Sequence, residues 1–260
     1  MAKYIVYNCT GYPGGGLADR FRGIISCYAL AKNLNCEFII NWTYPFKLNS
    51  VLNPNTTNWL PRPIQGTYRA HRIFDINGHE IYKEALKNHK MFFTEDIHII
   101  ETNINFLSDI KSGFNFAVLF NELFNYKLKL PNFINNKTML GVAARFGGQQ
   151  ANWNDPNFNR EVSFEEAYNS IKSNMLYDKQ PIFLCSDSSK FLQFCKDKNL
   201  NFYETEKKSE HIDYQGCSFE GFIKAFEDFF ILRECHTILS LKGNFAITAA
   251  LSNDKKIIDI

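Results

Sequence analysis

"KYIVYNCTGYPGGGLADRFRGIISCYALAKNLNCEFIINW", residues 3–42, is the stretch that decides the fold. Its first seven residues are mostly apolar and predict a buried strand. Four glycines follow within residues 11–16, and apolar residues then recur at steps of three and four through residues 17–34. That spacing predicts a helix with one apolar face, and residues 36–42 predict a second strand. A strand, a helix and a strand with short joints form a right-handed βαβ unit, which requires a parallel sheet covered on both faces.

The second half of the chain repeats this alternation. From residue 138 onward, predicted strands and helices follow one another, with a short strand over 201–204, and Ser163 and Glu166 have the spacing of a capping box at the start of one helix. We therefore predict an α/β protein with two Rossmann-like domains, 1–135 and 136–260, that face one another across a cleft. The intervening residues 43–135 are rich in proline at first and then predict a strand within 91–101 and a helix within 114–124.

The overall composition is that of a globular protein. Hydrophobic residues make up 45 % of the 260 residues, and 29 basic residues nearly balance 27 acidic ones, so we expect no nucleic-acid partner. The sequence has no run of 18 apolar residues and no signal-peptide pattern, so we expect no transmembrane segment and a cytoplasmic location. The seven cysteines contain no C-x-x-C pair and indicate reduced thiols rather than disulfides or a metal site.

Ligands of open parallel sheets lie beyond the carboxyl ends of the strands, so the residues that follow strands are the candidates for a site. The loop of Gly14, Gly15 and Gly16 would let the backbone approach a ligand closely, although a tight turn without a ligand explains it equally well. The Walker pattern is absent. The dinucleotide fingerprint is incomplete, because Asp19 stands where its last glycine is required.

Three strand ends of the second half carry candidate residues. Arg145 ends a strand and has a guanidinium suited to a diphosphate, although a surface arginine after a strand is the commoner case. Ser186 and Asp187 follow the next strand and would contact the ligand, unless Ser186, Asp187 and Ser188 cap the following helix. Gly243 and Asn244 begin a later helix, whose N-terminus suits a phosphate, unless Asn244 is a simple N-cap.

Three carboxylates are further candidates. Asp228 lies at the edge of an apolar helix stripe, where it needs a partner such as the paired N–H donors of guanine, unless it faces solvent. Asp19 and Asp155 are candidate general bases that would deprotonate an acceptor hydroxyl. A helix-start role for Asp19 and a loop turn before Pro156 for Asp155 are the structural alternatives. No metal-ligand motif appears, so we expect a mechanism without a metal ion.

Four segments in this order resemble the GT-B fucosyltransferase superfamily, which includes the α-1,6- and nodulation enzymes, the α-1,2-fucosyltransferases and the protein O-fucosyltransferases. The segments are "GGGLADRFRGIISCYALAKNLNCEFIINW" (14–42), "GVAARFGG" (141–148), "IFLCSDSSKF" (182–191) and "FIKAFEDFFILRECHTILSLKGNF" (222–245). The family has a histidine where this chain has Ala143 and an aspartate where it has Gly148.

The resemblance implies an enzyme that transfers fucose from GDP-fucose to a glycan hydroxyl, with inversion, without a metal and without a further cofactor. By position, Arg145 would hold the diphosphate, Asp228 would bind the guanine, and Gly243 and Asn244 would donate to phosphate, with Phe245 ending the donor segment. The two departures leave open a different nucleotide-sugar donor or a non-catalytic relative that binds nucleotide or sugar. For the acceptor, Trp42, Tyr44 and Trp59 would either stack on sugar rings or belong to the core.

Overall fold

The structure is a computed structural model, and it describes residues 2–11, 14–74, 92–110, 113–135, 138–147, 150–153 and 162–259. The chain divides into two compact units, Met1–Lys127 and Leu128–Ile260. In these described ranges no helix is both long and apolar enough to cross a bilayer. All seven cysteines are free thiols.

The first unit is built on a four-stranded parallel sheet. Its elements are β1 (Tyr4–Cys9), α1 (Leu17–Leu34), β2 (Glu37–Trp42), β3 (Leu52–Pro54), β4 (Tyr68–Ile73), β5 (Ile97–Thr102), α2 (Phe116–Leu123) and β6 (Phe124–Tyr126). The order of the strands in the sheet is β2-β1-β5-β4. Strand β1 pairs in parallel with β2, with α1 between them in the chain, which confirms the predicted parallel βαβ arrangement. The short strands β3 and β6 form a separate antiparallel pair.

Helix α1 covers one face of this sheet and approaches β5 very closely. Its Phe21, Ile24 and Ile25 are fully buried. At Gly23 a Cβ atom would lie only 2.5 Å from the backbone oxygen of Thr102, so no larger residue fits without a shift of the helix. The helix ends at Asn35, which adopts the left-handed conformation that commonly terminates helices.

A histidine pair is buried between β4 and β5. Nε2 of His71 and Nδ1 of His98 are 2.8 Å apart, and Phe92 and Phe93 pack against the two rings. Burial, together with the neighbouring His98 and Arg69, lowers the pKa of His71 to about 4, and burial also lowers the pKa of His98. Both imidazoles are therefore neutral near pH 7.

The second unit contains another parallel sheet, in the order β10-β9-β7-β8. Its first helix begins with the predicted capping box between Ser163 and Glu166. The strand predicted over 201–204 is reduced to one bridge between Tyr203 and Phe183. The elements are β7 (Leu140–Ala144), α3 (Phe164–Asn174), β8 (Ile182–Ser186), α4 (Ser189–Asp197), α5 (Phe219–Glu234), β9 (Thr237–Leu241), α6 (Asn244–Leu251) and β10 (Lys256–Asp259).

Candidate functional site

Arg145, Asp187 and Gly243 lie together at the carboxyl ends of the neighbouring strands β7, β8 and β9. The backbone N–H of Arg145 donates to the oxygen of Leu241 over 3.1 Å, so the loop leaves β7 beside the end of β9. A Cβ atom on Gly243 would lie 3.3 Å from Cδ of Arg145. The half-buried Arg145 side chain therefore passes alongside the residue that precedes α6.

Asp187 fixes the loop that carries Arg145. Its buried carboxylate accepts hydrogen bonds from the backbone N–H of Phe146 (2.9 Å) and of Gly147 (3.2 Å). Burial raises the pKa of the Asp187 carboxyl above its usual range, while these two hydrogen bonds and the Arg145 charge act in the opposite direction. Asp187 thus positions Arg145 through the backbone, and its predicted contact with a donor stays a prediction.

The serines on either side of Asp187 have separate structural roles. The Ser186 hydroxyl donates to the oxygen of Ala144 over 2.8 Å and accepts from the backbone N–H of Ser188. Ser188 is the residue that caps α4, because its Oγ accepts from the N–H of Phe191 over 3.2 Å. The capping alternative is therefore confirmed for Ser188, one of the three residues proposed for it, and not for Ser186 or Asp187.

The start of α6 is capped by a glycine. Gly243 occupies the cap position with φ of 140°, a backbone conformation that favours glycine, and provides no side-chain cap. Asn244 is the first residue of the helix and is exposed, so it is not the N-cap that the sequence offered as an alternative. The ring of Phe245 packs edge-on against Phe229 of α5 at 5.7 Å.

Asp228 is buried and already has partners inside the chain. Its Oδ2 lies 3.1 Å from Nζ of Lys224, one turn earlier on α5, and its Oδ1 accepts from the Thr205 hydroxyl over 2.6 Å. The alternative of an exposed carboxylate is excluded, since Asp228 is only 5 % exposed. Burial raises the pKa of Asp228, and Lys224 and Thr205 oppose that effect. The predicted contact between Asp228 and guanine stays a prediction.

The glycine loop of the first unit is packed against its own chain. A Cβ atom on Gly14 would lie 2.9 Å from both Nη2 of Arg20 and Sγ of Cys9, and one on Gly15, where φ is +80°, would lie 3.1 Å from the Asn103 side chain. The fully buried Arg20 donates to the oxygen of Gly15 over 2.8 Å. The close approach that these glycines permit is thus used by protein atoms, which favours the structural explanation of the loop.

Two of the remaining residues lie at the start of α1. Gly16 is the N-cap of α1, and Asp19 lies in the first turn with an oxygen 3.7 Å from a guanidinium nitrogen of Arg22. Asp155 and Gly148 lie outside the described residues.

Two of the three aromatic residues proposed for sugar stacking belong to the core. Trp42 and Trp59 are 3 % and 1 % exposed, so stacking on sugar rings is wrong for them. The Nε1 of Trp59 donates to the oxygen of Leu123 over 2.7 Å, whereas Tyr44 is half-buried.

A row of polar side chains that the sequence analysis missed crosses the first sheet. Asn41 donates to Asn8 over 2.7 Å, Asn8 donates to Oε1 of Glu101 over 2.8 Å, and Nε of Arg72 lies 3.1 Å from Oε2 of Glu101. These four residues come from β2, β1, β5 and β4 near their carboxyl ends. A polar residue near the end of each of three apolar strands was the signal in the sequence.

A pocket of about 260 Å³ opens beside this row. The described residues that line it all belong to the first unit: Tyr7, Asn8, Cys9, Thr10, Gly11, Gly14, Arg72, Phe74, Glu101 and Thr102. Among the described residues, no group of three or more His, Cys, Asp or Glu side chains is arranged to hold a metal ion.

Neither comparison by sequence gives a match: no family profile and no curated protein sequence is similar to this chain. Solved structures do match it. The α-1,6-fucosyltransferase NodZ soaked with GDP-fucose superposes with a TM-score of 0.59 at 12 % identity, over 96 % of this chain and 92 % of NodZ. A NodZ structure from Bradyrhizobium gives the same TM-score at 14 % identity, over 96 % of this chain and 91 % of that one. The chain has a fucosyltransferase-like GT-B fold.

Two further fucosyltransferases share this fold. A mutant of Arabidopsis thaliana FUT1 in complex with GDP gives a TM-score of 0.62 at 12 % identity, over 100 % of this chain and 70 % of the FUT1 chain. POFUT1 in complex with GDP gives 0.50 at 10 % identity, over 99 % and 98 % of the two chains. At such identities the similarity establishes the fold, and it confirms the predicted fold class.

Proposed function

We propose that this chain is an inverting, metal-independent glycosyltransferase that transfers fucose from GDP-fucose to a hydroxyl group of a glycan. The observation that carries the proposal is the position of Arg145 at the carboxyl edge of the second parallel sheet, alongside the glycine-capped start of α6. The fold is shared with fucosyltransferase structures that hold GDP or GDP-fucose.

The chemistry of sugar transfer explains why a cation and a helix start suit this position. As the bond between the sugar C1 and the diphosphate oxygen breaks, positive charge develops on the sugar ring and negative charge on the departing diphosphate. The Arg145 guanidinium would bind two phosphate oxygens, and the first N–H groups of α6 would point at the same charge. Preorganised donors of this kind each contribute about 3 kcal/mol to the stabilisation of a transition state.

The other donor contacts and the domain roles follow from the same scheme. Residues 136–260 would bind the donor, with Ser186, Asp187, Gly243, Asn244 and Phe245 around the diphosphate and Asp228 at the base, and residues 1–135 would bind the acceptor. Gly14, Gly15 and Gly16 would line the approach to the sugar. Inversion requires a general base for the acceptor hydroxyl, and Asp19 and Asp155 are the proposed carboxylates.

A different nucleotide-sugar donor is the second candidate. Two observations favour it: Lys224 and Thr205 already bind the Asp228 carboxylate, and the family histidine is replaced by the buried Ala143. Both affect the part of the site that would distinguish one nucleobase from another. The reaction type would be unchanged.

We place the reaction in the cytoplasm because of the cysteines. All seven are free thiols, and most of them are buried, which is typical of a protein kept in a reducing compartment. Localisation of a tagged full chain in its own cells would test this assignment.

A nucleotide panel and one variant pair test the proposed function. GDP should raise the melting temperature of the chain, while UDP and CMP should not. The Arg145→Ala variant should lose about 100-fold or more in transfer from GDP-fucose. The control is Lys172→Ala, which removes an exposed lysine of α3 that forms an ion pair with Asp178, and it should keep full activity. Circular dichroism would verify that both variants are folded.

Each other result points elsewhere. Near-full activity of Arg145→Ala would refute the site. A melting shift with UDP or CMP but not with GDP would select the second candidate. GDP binding without release of GDP from GDP-fucose in any acceptor screen would indicate a non-catalytic nucleotide-binding relative.

A further inference from the structure

We propose that the pocket at the carboxyl ends of β1, β4 and β5 binds one neutral sugar ring of the acceptor, with the Glu101 carboxylate as its principal hydroxyl contact. That this ring belongs to the acceptor rests on the proposed function. The described residues that line the pocket all belong to the first unit, so sugar binding itself can be tested separately.

The Glu101 carboxylate is held in a fixed orientation and can accept further hydrogen bonds. Asn8 donates to one oxygen over 2.8 Å, Nε of Arg72 forms an ion pair with the other at 3.1 Å, and Asn8 is itself held by Asn41. Each carboxylate oxygen can accept about two hydrogen bonds, so both oxygens can also accept from a ligand hydroxyl. The Glu101 side chain is 32 % exposed, and the residue lines the pocket. A preorganised acceptor of hydrogen bonds therefore stands in an accessible pocket.

The charge of the pocket selects an uncharged ligand. Glu101 and Arg72 are the two charged side chains among the described residues that line it, and their charges cancel. A phosphate or a carboxylate would meet Glu101 directly, whereas a hydroxyl group can donate to Glu101 and accept from the guanidinium of Arg72. The lining thus suits a polyol better than an anion, which distinguishes it from the Arg145 region.

The volume of the pocket and its aromatic lining indicate that the ligand is a single sugar ring. Its volume, about 260 Å³, is below the roughly 300–1,000 Å³ of pockets that hold drug-sized ligands. Phe74 also lines the pocket, and the Arg72 guanidinium carbon lies over its ring, 5.6 Å from the ring centre. An aromatic side chain beside hydrogen-bonding groups suits the C–H surface and the hydroxyl edge of one sugar ring. Gly11 leaves open space at its own position, with no atom within 4 Å of where a Cβ would lie.

Saturation-transfer NMR on the full chain tests the proposal without nucleotide. The probes are the methyl glycosides of galactose, glucose, mannose, fucose and N-acetylglucosamine, with methyl glucuronide as a charged comparison. At least one neutral ring should receive saturation from the wild-type chain, and the glucuronide should receive less. Replacing Glu101 by glutamine removes a charged hydrogen-bond partner, so the affinity for that ring should fall about tenfold or more.

The same sheet offers a matched control. Glu37 lies at the opposite, amino end of β2 and is paired with Arg62, so Glu37→Gln also removes one glutamate from an exposed ion pair with arginine. It should leave sugar binding unchanged. If Glu101→Gln does not fold, Arg72→Gln and its control Arg62→Gln replace the pair, with the same expected contrast.

Three results would overturn the proposal: no neutral ring contacts the wild-type chain, Glu101→Gln binds the ring as well as wild type, or Glu37→Gln loses binding equally. These results are independent of the GDP-induced melting shift, which depends on the second unit. A chain that keeps the GDP shift but binds no sugar would refute the pocket alone. One that binds the sugar without any GDP shift would refute only the proposed donor.

Discussion

Replacing His71 by glutamine should make the first unit less sensitive to acid. A free imidazole has a pKa of 6.5, whereas the pKa of His71 in the folded chain is about 4 because the ring is buried beside His98. The unfolded chain therefore takes up the proton more readily than the folded chain. The contribution of the neutral ring to stability is complete above about pH 6.5 and is lost as the pH falls towards 4.

The size of the effect follows from these two pKa values. Their difference corresponds to at most about 3 kcal/mol, and partial access of solvent to the ring reduces this to about 2 kcal/mol. The loss in free energy of unfolding between pH 7 and pH 4.5 should thus be smaller by about that amount in His71→Gln than in wild type. His98, whose pKa burial also lowers, will retain part of the slope in the variant.

Urea unfolding followed by tryptophan fluorescence measures this difference, because Trp42 and Trp59 are buried in the first unit. The control is His236→Gln, which replaces an exposed histidine of the second unit. If His71→Gln and His236→Gln showed the same pH dependence as wild type, the buried neutral imidazole would not be the cause of acid sensitivity, and the argument from its lowered pKa would fail.

Three further outcomes are expected. Lys224→Met should destabilise the second unit by about 3 to 5 kcal/mol in urea unfolding, because it leaves the Asp228 carboxylate buried without its cation. Adding Asp228→Leu should recover more than half of that loss, and a double variant as unstable as the single one would contradict this explanation. Asp187→Ala leaves two buried backbone N–H groups without their acceptor, so it should lower the free energy of unfolding by about 2 to 4 kcal/mol and lower the rate of transfer from GDP-fucose. Unchanged stability would argue against the role of Asp187 in the loop. Gly23→Ala should lower the stability by about 1 to 3 kcal/mol in thermal unfolding. Gly11→Ala, which has open space around the new methyl group, should change the stability by less than about 0.5 kcal/mol. Equal effects of the two variants would disprove the close approach of α1 to the backbone of Thr102.

Local patterns in the sequence were sufficient for most of the regular elements. Apolar steps of three and four predicted α1 over residues 17–34, as observed, and the capping box placed the start of α3 at Ser163. Buried parallel strands appeared as short apolar runs. The strand predicted over 201–204 was the exception, because only Tyr203 makes a bridge there.

The contacts between distant residues could not be predicted. Asn8 and Glu101 are 93 positions apart, and their pairing depends on β5 lying next to β1, which no local pattern states. Arg20 falls inside the apolar spacing of α1, yet its burial depends on Trp42, whose ring lies 4.8 Å from the guanidinium carbon.

The partner of Asp228 was readable in the sequence. Lys224 stands four residues earlier on the same helix face, a spacing that joins opposite charges. Because this lysine already satisfies the carboxylate, the burial of Asp228 requires no ligand to explain it.

The attachment of the Arg145 loop to Asp187 has a consequence for heat inactivation. The loop is held by two hydrogen bonds to a side chain that directly follows β8, and its buried Phe146 ring packs in the core against Phe164 and Phe191. A segment anchored in such a cluster opens only together with the cooperative unit to which the cluster belongs. On warming, the guanidinium should therefore keep its direction until the strands of the second unit melt, so that activity and the circular dichroism signal should be lost at the same temperature.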